Sequence, residues 1–358
     1  MRNTSLEVSR KAFINNYDAV CKKVGSNVLV MPVVKANGYG TYINRDSDLM
    51  NQFPIVAVAI VEEAVHLREY GYKNDILVLN QPYEDEIDAI IENNVIVGVS
   101  SSLFLLEVIK RNVKMRVHVE LETGMGRTGV NYDDLSDFLV QLNNPCFLVE
   151  GVYTHLSSPD VDYEYTIKQL NKFNEGASLV KEKFPLVKYI HTSASNGILN
   201  FDLGICNMVR PGLILYGYPS SKTTLDKIKL EPIAKLKSKI SYLKEVREGD
   251  AISYGRTFVA SSKMIVATVG CGYADGIKRG LSNRGFVSVN GVRCKILGRV
   301  CMDSFMIDVT GLDVKIGDDV YIFDNEVVTI DEVADICDTI NYEILSTIGE
   351  RVPRTFID

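Results

Sequence analysis

Apolar and polar positions follow two different periods along this chain, and the change of period divides it. Up to about residue 230, short apolar runs recur at 28–34, 55–60, 76–79, 95–99, 115–121, 147–154, 187–191 and 208–213. Unbroken runs of this length read as strands buried on both faces, as in parallel sheets. Segments with helical spacing lie between them, including 62–69 (ending near Gly71), 134–142 and 166–183. Eight strands alternating with helices predict an α/β fold, a (β/α)8 TIM-type barrel rather than an open doubly wound sheet.

Beyond residue 230 the texture becomes β-rich. Positions 235–246 alternate as a half-buried strand does, and shorter strands are expected at 264–269, 286–289, 292–297, 305–309 and 319–323. Asn290-Gly291 falls between two of these and is a strong two-residue hairpin signal. A helix is predicted over 331–338. The expected organisation is a barrel domain over 1–230 and a C-terminal mainly-β domain over 231–358. The first residues are candidates to pair with the β-domain.

Charge and composition narrow the function. The balance is acidic, 46 Asp+Glu against 39 Lys+Arg, with no basic patch, which argues against a nucleic-acid partner. Seven cysteines, an odd number without a C-x-x-C pair, fit reduced thiols and a cytoplasmic location. Four histidines without ligand spacing argue against a metal site. The N-terminus lacks the apolar core of a signal peptide, and no apolar stretch is long enough for a membrane segment. There is no P-loop, no G-x-G-x-x-G opening a helix after a strand, and no G-x-S-x-G elbow.

In a barrel, chemistry gathers where strands end. Lys35 follows the first apolar run, in Val33-Val34-Lys35-Ala36-Asn37-Gly38-Tyr39-Gly40. A lysine at the mouth of a buried strand is a candidate Schiff-base former, although a strand-capping surface lysine is the blander reading. Glu120, with Glu122, ends the fifth strand and leads into a loop carrying Arg127. His155 ends the sixth; His191, Ser193 and Ser195 follow the seventh; Arg210-Pro211-Gly212 follows the eighth. Each alone reads more readily as a satisfied polar group or a turn residue. Their shared placement at one rim is harder to assign to chance. Ser195 at a helix start and the Gly212 and Leu213 amides can cradle a phosphate.

These residues carry a resemblance. Val34-Lys35-Ala36-Asn37-Gly38-Tyr39-Gly40 resembles the pyridoxal-phosphate lysine motif of the alanine racemases, fold-type III pyridoxal-phosphate enzymes. Thr123-Gly124-Met125-Gly126-Arg127-Thr128-Gly129, Arg210 through Gly217, Ser253-Tyr254-Gly255 and Gly272-Tyr273-Ala274-Asp275-Gly276 agree in the family's order. Gly298 through Asp303 and Arg351-Val352-Pro353-Arg354 complete a match over nearly the whole chain. The family's fold is an N-terminal (β/α)8 barrel followed by a β-domain. Its role is to supply D-alanine for peptidoglycan.

The resemblance implies pyridoxal 5'-phosphate as cofactor, held by Lys35. It implies Tyr254 as the second catalytic base, offered by the partner subunit of a head-to-tail homodimer. Arg210 would face the pyridine nitrogen, and Tyr39, Ser195 and the Gly212 and Leu213 amides would contact the phosphate. Arg127 and the Met302 amide would bind the substrate carboxylate. His155 would link Tyr254 to Arg210 in a cationic network. Tyr273, Asp160 and Arg299 would border the substrate channel, and Asp303 stands beside Met302 in the matched Cys301-Met302-Asp303.

Three positions depart from the family pattern. Glu120 stands where many members place a lysine that becomes carbamylated, and the expectation is that Glu120 orients Arg127 itself. Glu350 replaces a tyrosine near the phosphate and is expected to point elsewhere or to pair with Arg351 or Arg354. Ala194 replaces an asparagine. The last two leave serine open beside alanine as substrate. The other readings are a serine or broad-specificity racemase, a related barrel decarboxylase, and a non-catalytic cofactor-carrying protein.

Overall fold

The computed structural model describes residues 3–219 and 227–358 and divides into two compact units. One contains residues 13–38, 43–219 and 227–231. The other contains residues 3–12, 39–42 and 232–358. Residues 3–12 and 39–42 therefore group with the β-rich part of the chain.

The first strand, β1 (Ser5–Val8), belongs to the β-rich unit. The larger unit is built on β2 (Leu29–Val30), β3 (Ile55–Val58), β4 (Asp75–Val78), β5 (Ile96–Val99), β6 (Met115–Glu120), β7 (Phe147–Tyr153), β8 (Tyr189–His191) and β9 (Met208–Val209). All its ladders are parallel. β3 through β8 pair in sequence order and β2 pairs with β9. The ring closes through Val34 N–H to Ala57 O (2.8 Å) and Asn207 N–H to Ile190 O (3.1 Å). β3 and β5 are buried along their whole length, which is why their sequences run apolar without alternation. The outer strands are shorter than the apolar runs: 28–34 holds only a two-residue strand, and 208–213 likewise. Pro32 and Pro211 interrupt ladder donation there.

Helices cover the outside of the ring. Tyr163–Lys183 starts on Asp162, whose carboxylate accepts the Tyr165 amide (2.9 Å), and turns Thr166, Gln169, Phe173, Ala177 and Val180 inward. Ser102–Arg111 is capped by Ser101 at one end and by a left-handed Asn112 at the other.

In the second unit, β10 (Ala234–Val246) is the spine. Five further strands, β13 (Met264–Val269), β14 (Phe286–Val289), β15 (Val292–Leu297), β16 (Phe305–Asp308) and β17 (Asp319–Phe323), pair antiparallel around it in the order 13-16-15-14-17. β10 pairs with both ends of that series and closes it into a barrel. β1 adds on β10, and β18 (Arg354–Phe356) adds on β1. A short hairpin, β11 (Ala251–Ile252) and β12 (Phe258–Val259), projects from this unit and carries Tyr254 in its connection. Asn290 and Gly291 both adopt positive φ (51° and 74°) between β14 and β15, the two-residue turn their sequence predicts. The expected C-terminal helix runs Ile330–Ile336, and a second helix that the pattern does not predict, Asn341–Ser346, follows it. All seven cysteines are free thiols. Among the described residues no helix is long and apolar enough to cross a membrane.

Candidate active site

Strand ends of the parallel barrel place one set of candidates together. Arg210, just past β9, is fully buried. Its Nη1 donates to His191 Nδ1 (2.8 Å); its Nη2 donates to the carbonyls of Thr154 (2.8 Å) and Thr192 (3.0 Å) and reaches His155 Nδ1 (3.3 Å). The guanidinium also lies over the Tyr153 ring, 5.4 Å from its centre. Burial pushes Arg210 down to about 10, so it stays cationic near neutrality. A guanidinium has five N–H groups and no acceptor. Nε and one hydrogen of Nη1 have no protein acceptor among the described residues.

Lys35 stands at the same rim. Burial lowers its amine below the ordinary lysine range, reinforced by the Arg127 and Arg210 cations and opposed by Glu63. Directly after it the backbone turns left-handed at Ala36, Asn37 and Gly38 (φ 52°, 54° and 59°). Left-handed helical conformation costs roughly 1–2 kcal/mol for each L-residue, so this turn is held by its surroundings. Glu63 supplies part of that hold: its carboxylate accepts the Ala36 amide and the Ala59 amide (2.8 Å). In the sequence Glu63 reads only as a helix residue. Its position three residues past the N-cap, Ile60, is the available signal for a capping carboxylate.

Burial and the Arg210, Arg127 and Lys35 charges push the His155 imidazole down to about 3, so the positive charge of this part of the rim is carried by Arg210. His155 is a neutral ring whose Nδ1 faces the Arg210 donor. Ser195 opens the helix Ser195–Asn200, and its Oγ receives the Gly212 amide (3.3 Å) and Ile214 amide (3.5 Å) at long range. The Leu213 amide has no protein acceptor among the described residues. Glu120, at the end of β6, is buried, and its Oε2 has no partner among the described residues. Burial raises its carboxyl, against the pull of Thr128, Arg127 and Arg210. Arg127 is exposed on the following loop. Asp160 lies partly exposed on the loop before the long helix.

The second set belongs to the β-rich unit. Ser253, Tyr254, Cys301, Met302, Asp303 and Ser304 line an open hollow of about 510 Å³. Ser253 holds a positive φ of 66°, and its Oγ donates to Arg299 O (2.6 Å). The loop bearing Met302 is fixed from below: the Tyr273 and Ala274 amides donate to the Cys301 and Met302 carbonyls, each at 3.0 Å. Gly272 permits that approach, since a Cβ there would stand 2.3 Å from Cys301 O and 2.4 Å from Met302 O. The Met302 amide has no acceptor among the described residues. Arg351 joins Asp275 (2.7 Å) and Asp303 (2.5 Å), while Glu350 is exposed. Arg354 donates to the Gly40, Ile348, Gly349 and Val352 carbonyls. Tyr39 is buried in this unit, its ring 6.1 Å from Tyr342. Tyr273 is half-exposed.

Comparison with known proteins decides the family. The alanine racemase N-terminal domain matches residues 8–220 and the alanine racemase C-terminal domain matches residues 233–356. The chain belongs to the alanine racemase family. The alanine racemase of Halothermothrix orenii is 38% identical, with 99% of this chain and 97% of the relative covered. That of Desulforamulus reducens is 37% identical, with 98% of each covered. Among solved structures, the alanine racemase of Bacillus anthracis with bound L-Ala-P superposes with a TM-score of 0.93 at 37% identity, covering 100% of this chain and 96% of that one. The barrel and β-domain expected from the change of period are the two domains of this family.

Proposed function

We propose that the barrel rim around Lys35 and Arg210 is the cofactor site and that Lys35 and Tyr254 are the two bases of a racemisation. The activity is the pyridoxal-phosphate-dependent interconversion of L- and D-alanine. One observation supports the site above others: a lysine with a depressed amine shares a rim with an arginine that keeps two donors free.

The residues fit the cofactor. Lys35 would hold its aldehyde carbon, and the free donors of Arg210 would face its ring nitrogen. Tyr39, Ser195 and the Gly212 and Leu213 amides would take the phosphate; the unanswered Leu213 N–H suits that use. Bound pyridoxal phosphate supplies the electron withdrawal that makes the Cα–H of an amino acid acidic. Arg210 can only donate, so a ring nitrogen opposite it stays unprotonated.

Racemisation removes a proton from one face of Cα and returns one to the other, so it needs a base on each side. Lys35 is suited to one face, because burial and neighbouring cations favour its neutral, proton-accepting amine. Tyr254 would serve the other face from the partner subunit of a head-to-tail homodimer. It is 71% exposed in the single chain, as expected for a side chain completed by another surface. With His155 Nδ1 facing the Arg210 donor, Nε2 carries the hydrogen and can donate to the Tyr254 oxygen. That bond would orient the Tyr254 oxygen without a charge on His155. Arg127 and the free Met302 amide would bind the substrate carboxylate, with Glu120 supporting Arg127, Asp303 holding the Met302 loop and Tyr273 bordering the channel.

The test is direct. The cofactor-loaded protein is incubated with L-alanine and L-serine separately, and the D-enantiomers are followed. D-alanine is the expected product; D-serine without D-alanine would reassign the substrate, and neither product would defeat the reading.

A further inference from the structure

His118, on β6, has no part in the proposed chemistry, yet the barrel is built around it. The ladder between β6 and β7 slips at this residue: Val117 faces Val149, but His118 faces Gly151. Glu150 is the extra residue of this bulge. It is turned to Arg116, whose Nε it accepts at 2.8 Å. Gly151 leaves the space the imidazole occupies, since a Cβ there would stand 2.6 Å from His118 Nδ1 and 2.7 Å from Cγ and Cε1.

The ring so placed completes a chain of fixed polarity. Arg210 Nη1 can only donate, so His191 Nδ1, at 2.8 Å, is bare. A neutral His191 then carries its hydrogen on Nε2, which lies 2.9 Å from His118 Nδ1. His118 Nδ1 is therefore bare as well, and its hydrogen sits on Nε2. That Nε2 is buried with no partner among the described residues. A histidine kept only for packing would have both nitrogens satisfied or be replaced by an apolar ring. The Tyr153 ring stacks on His191 at 5.0 Å and 3°, fixing its plane. The charged groups that bear on the pair are Arg210, Arg116 and Asp75. Burial keeps both rings neutral.

The geometry points to His118 as a positioning residue for the racemase reaction: through His191 it locks the guanidinium plane of Arg210, and so the donors Arg210 offers the cofactor ring. This rests on Arg210 facing that ring. The first test uses the wild-type protein labelled with ¹⁵N-histidine, with cofactor and after its removal. Both rings are expected to show a protonated Nε2 and a bare Nδ1, unchanged across about pH 6–8, where an ordinary histidine titrates. A hydrogen on Nδ1 of either ring, or titration of either, overturns the relay.

The second test compares His118→Phe, which keeps a flat ring without an acceptor, with His118→Asn, which keeps an acceptor near the Nδ1 position. The Phe variant should lose roughly tenfold in kcat, within what a small misplacement costs, with KM for alanine unchanged and the absorbance of the bound cofactor shifted. The Asn variant should restore both. If both variants lower Tm and leave kcat and the spectrum alone, His118 is structural and the proposal fails. Failure of the wild-type protein to form D-alanine would strike the racemase reading and leave the tautomer result standing.

Discussion

The two halves of the proposed site are built in opposite ways. The barrel rim is fixed by its own network: Arg210 is buried, bonded to two carbonyls and two imidazoles, and Lys35 is followed by a left-handed turn braced by Glu63. The β-unit presents Tyr254 and Met302 at 71% and 52% exposure on loops whose backbone is fixed while the side chains stand free. A base must be held within a fraction of an ångström of its proton to act well. The rim has that precision within one chain. In the reading proposed above, Tyr254 would gain it against the partner subunit, a physical reason to look for a dimer.

Several experiments would break or sharpen that contrast. The largest effect should come from Lys35→Ala, with racemase activity down by about 10⁴-fold or more and the visible absorbance of the bound cofactor lost. Tyr254→Phe should cost about 10²–10⁴-fold, one proton-abstraction direction suffering more than the other, with cofactor retention unchanged. If Tyr254→Phe instead released the cofactor, the division of labour between the halves would be wrong. Gly272→Ala should displace the Met302 loop and raise KM for alanine by about tenfold, with little change at the rim, as read by the cofactor spectrum.

The smallest expected effect is at Glu120. Glu120→Gln should raise KM severalfold through Arg127; an unchanged KM would remove Glu120 from the site. It should also alter the pH dependence of stability. The carboxyl of Glu120 is raised in the fold, so its favourable contribution is present below the ordinary carboxylate range and is lost as pH rises through the raised value. The Gln variant should lack that decline, which thermal melts across mildly acidic pH would reveal.

Much of this site is legible in the order of residues alone. Lys35, Glu120, His155, Ser195 and Arg210 follow from a simple rule, that polar residues at the ends of buried strands share a rim. Tyr254 and Met302 are not accessible to that rule, since they sit on β-unit loops; resemblance supplies them. His118 escapes it entirely because it lies within a strand, where the rule expects packing. Only the bulge beside Gly151, and the contact it allows, shows that its ring points at His191. Charge states are equally hidden. That His155 is neutral beside Arg210 follows from its burial and from the cations that folding gathers around it.

The sequence by itself determined the architecture and the inventory of chemistry, because periodicity and strand-end position are local properties that one chain carries in order. The tertiary structure decided which hydrogen bonds have a direction, which groups keep a charge and which donors are left free. Those depend on burial and on neighbours distant in sequence: Arg210 meets Thr154 from 56 residues away, and His118 meets His191 from 73.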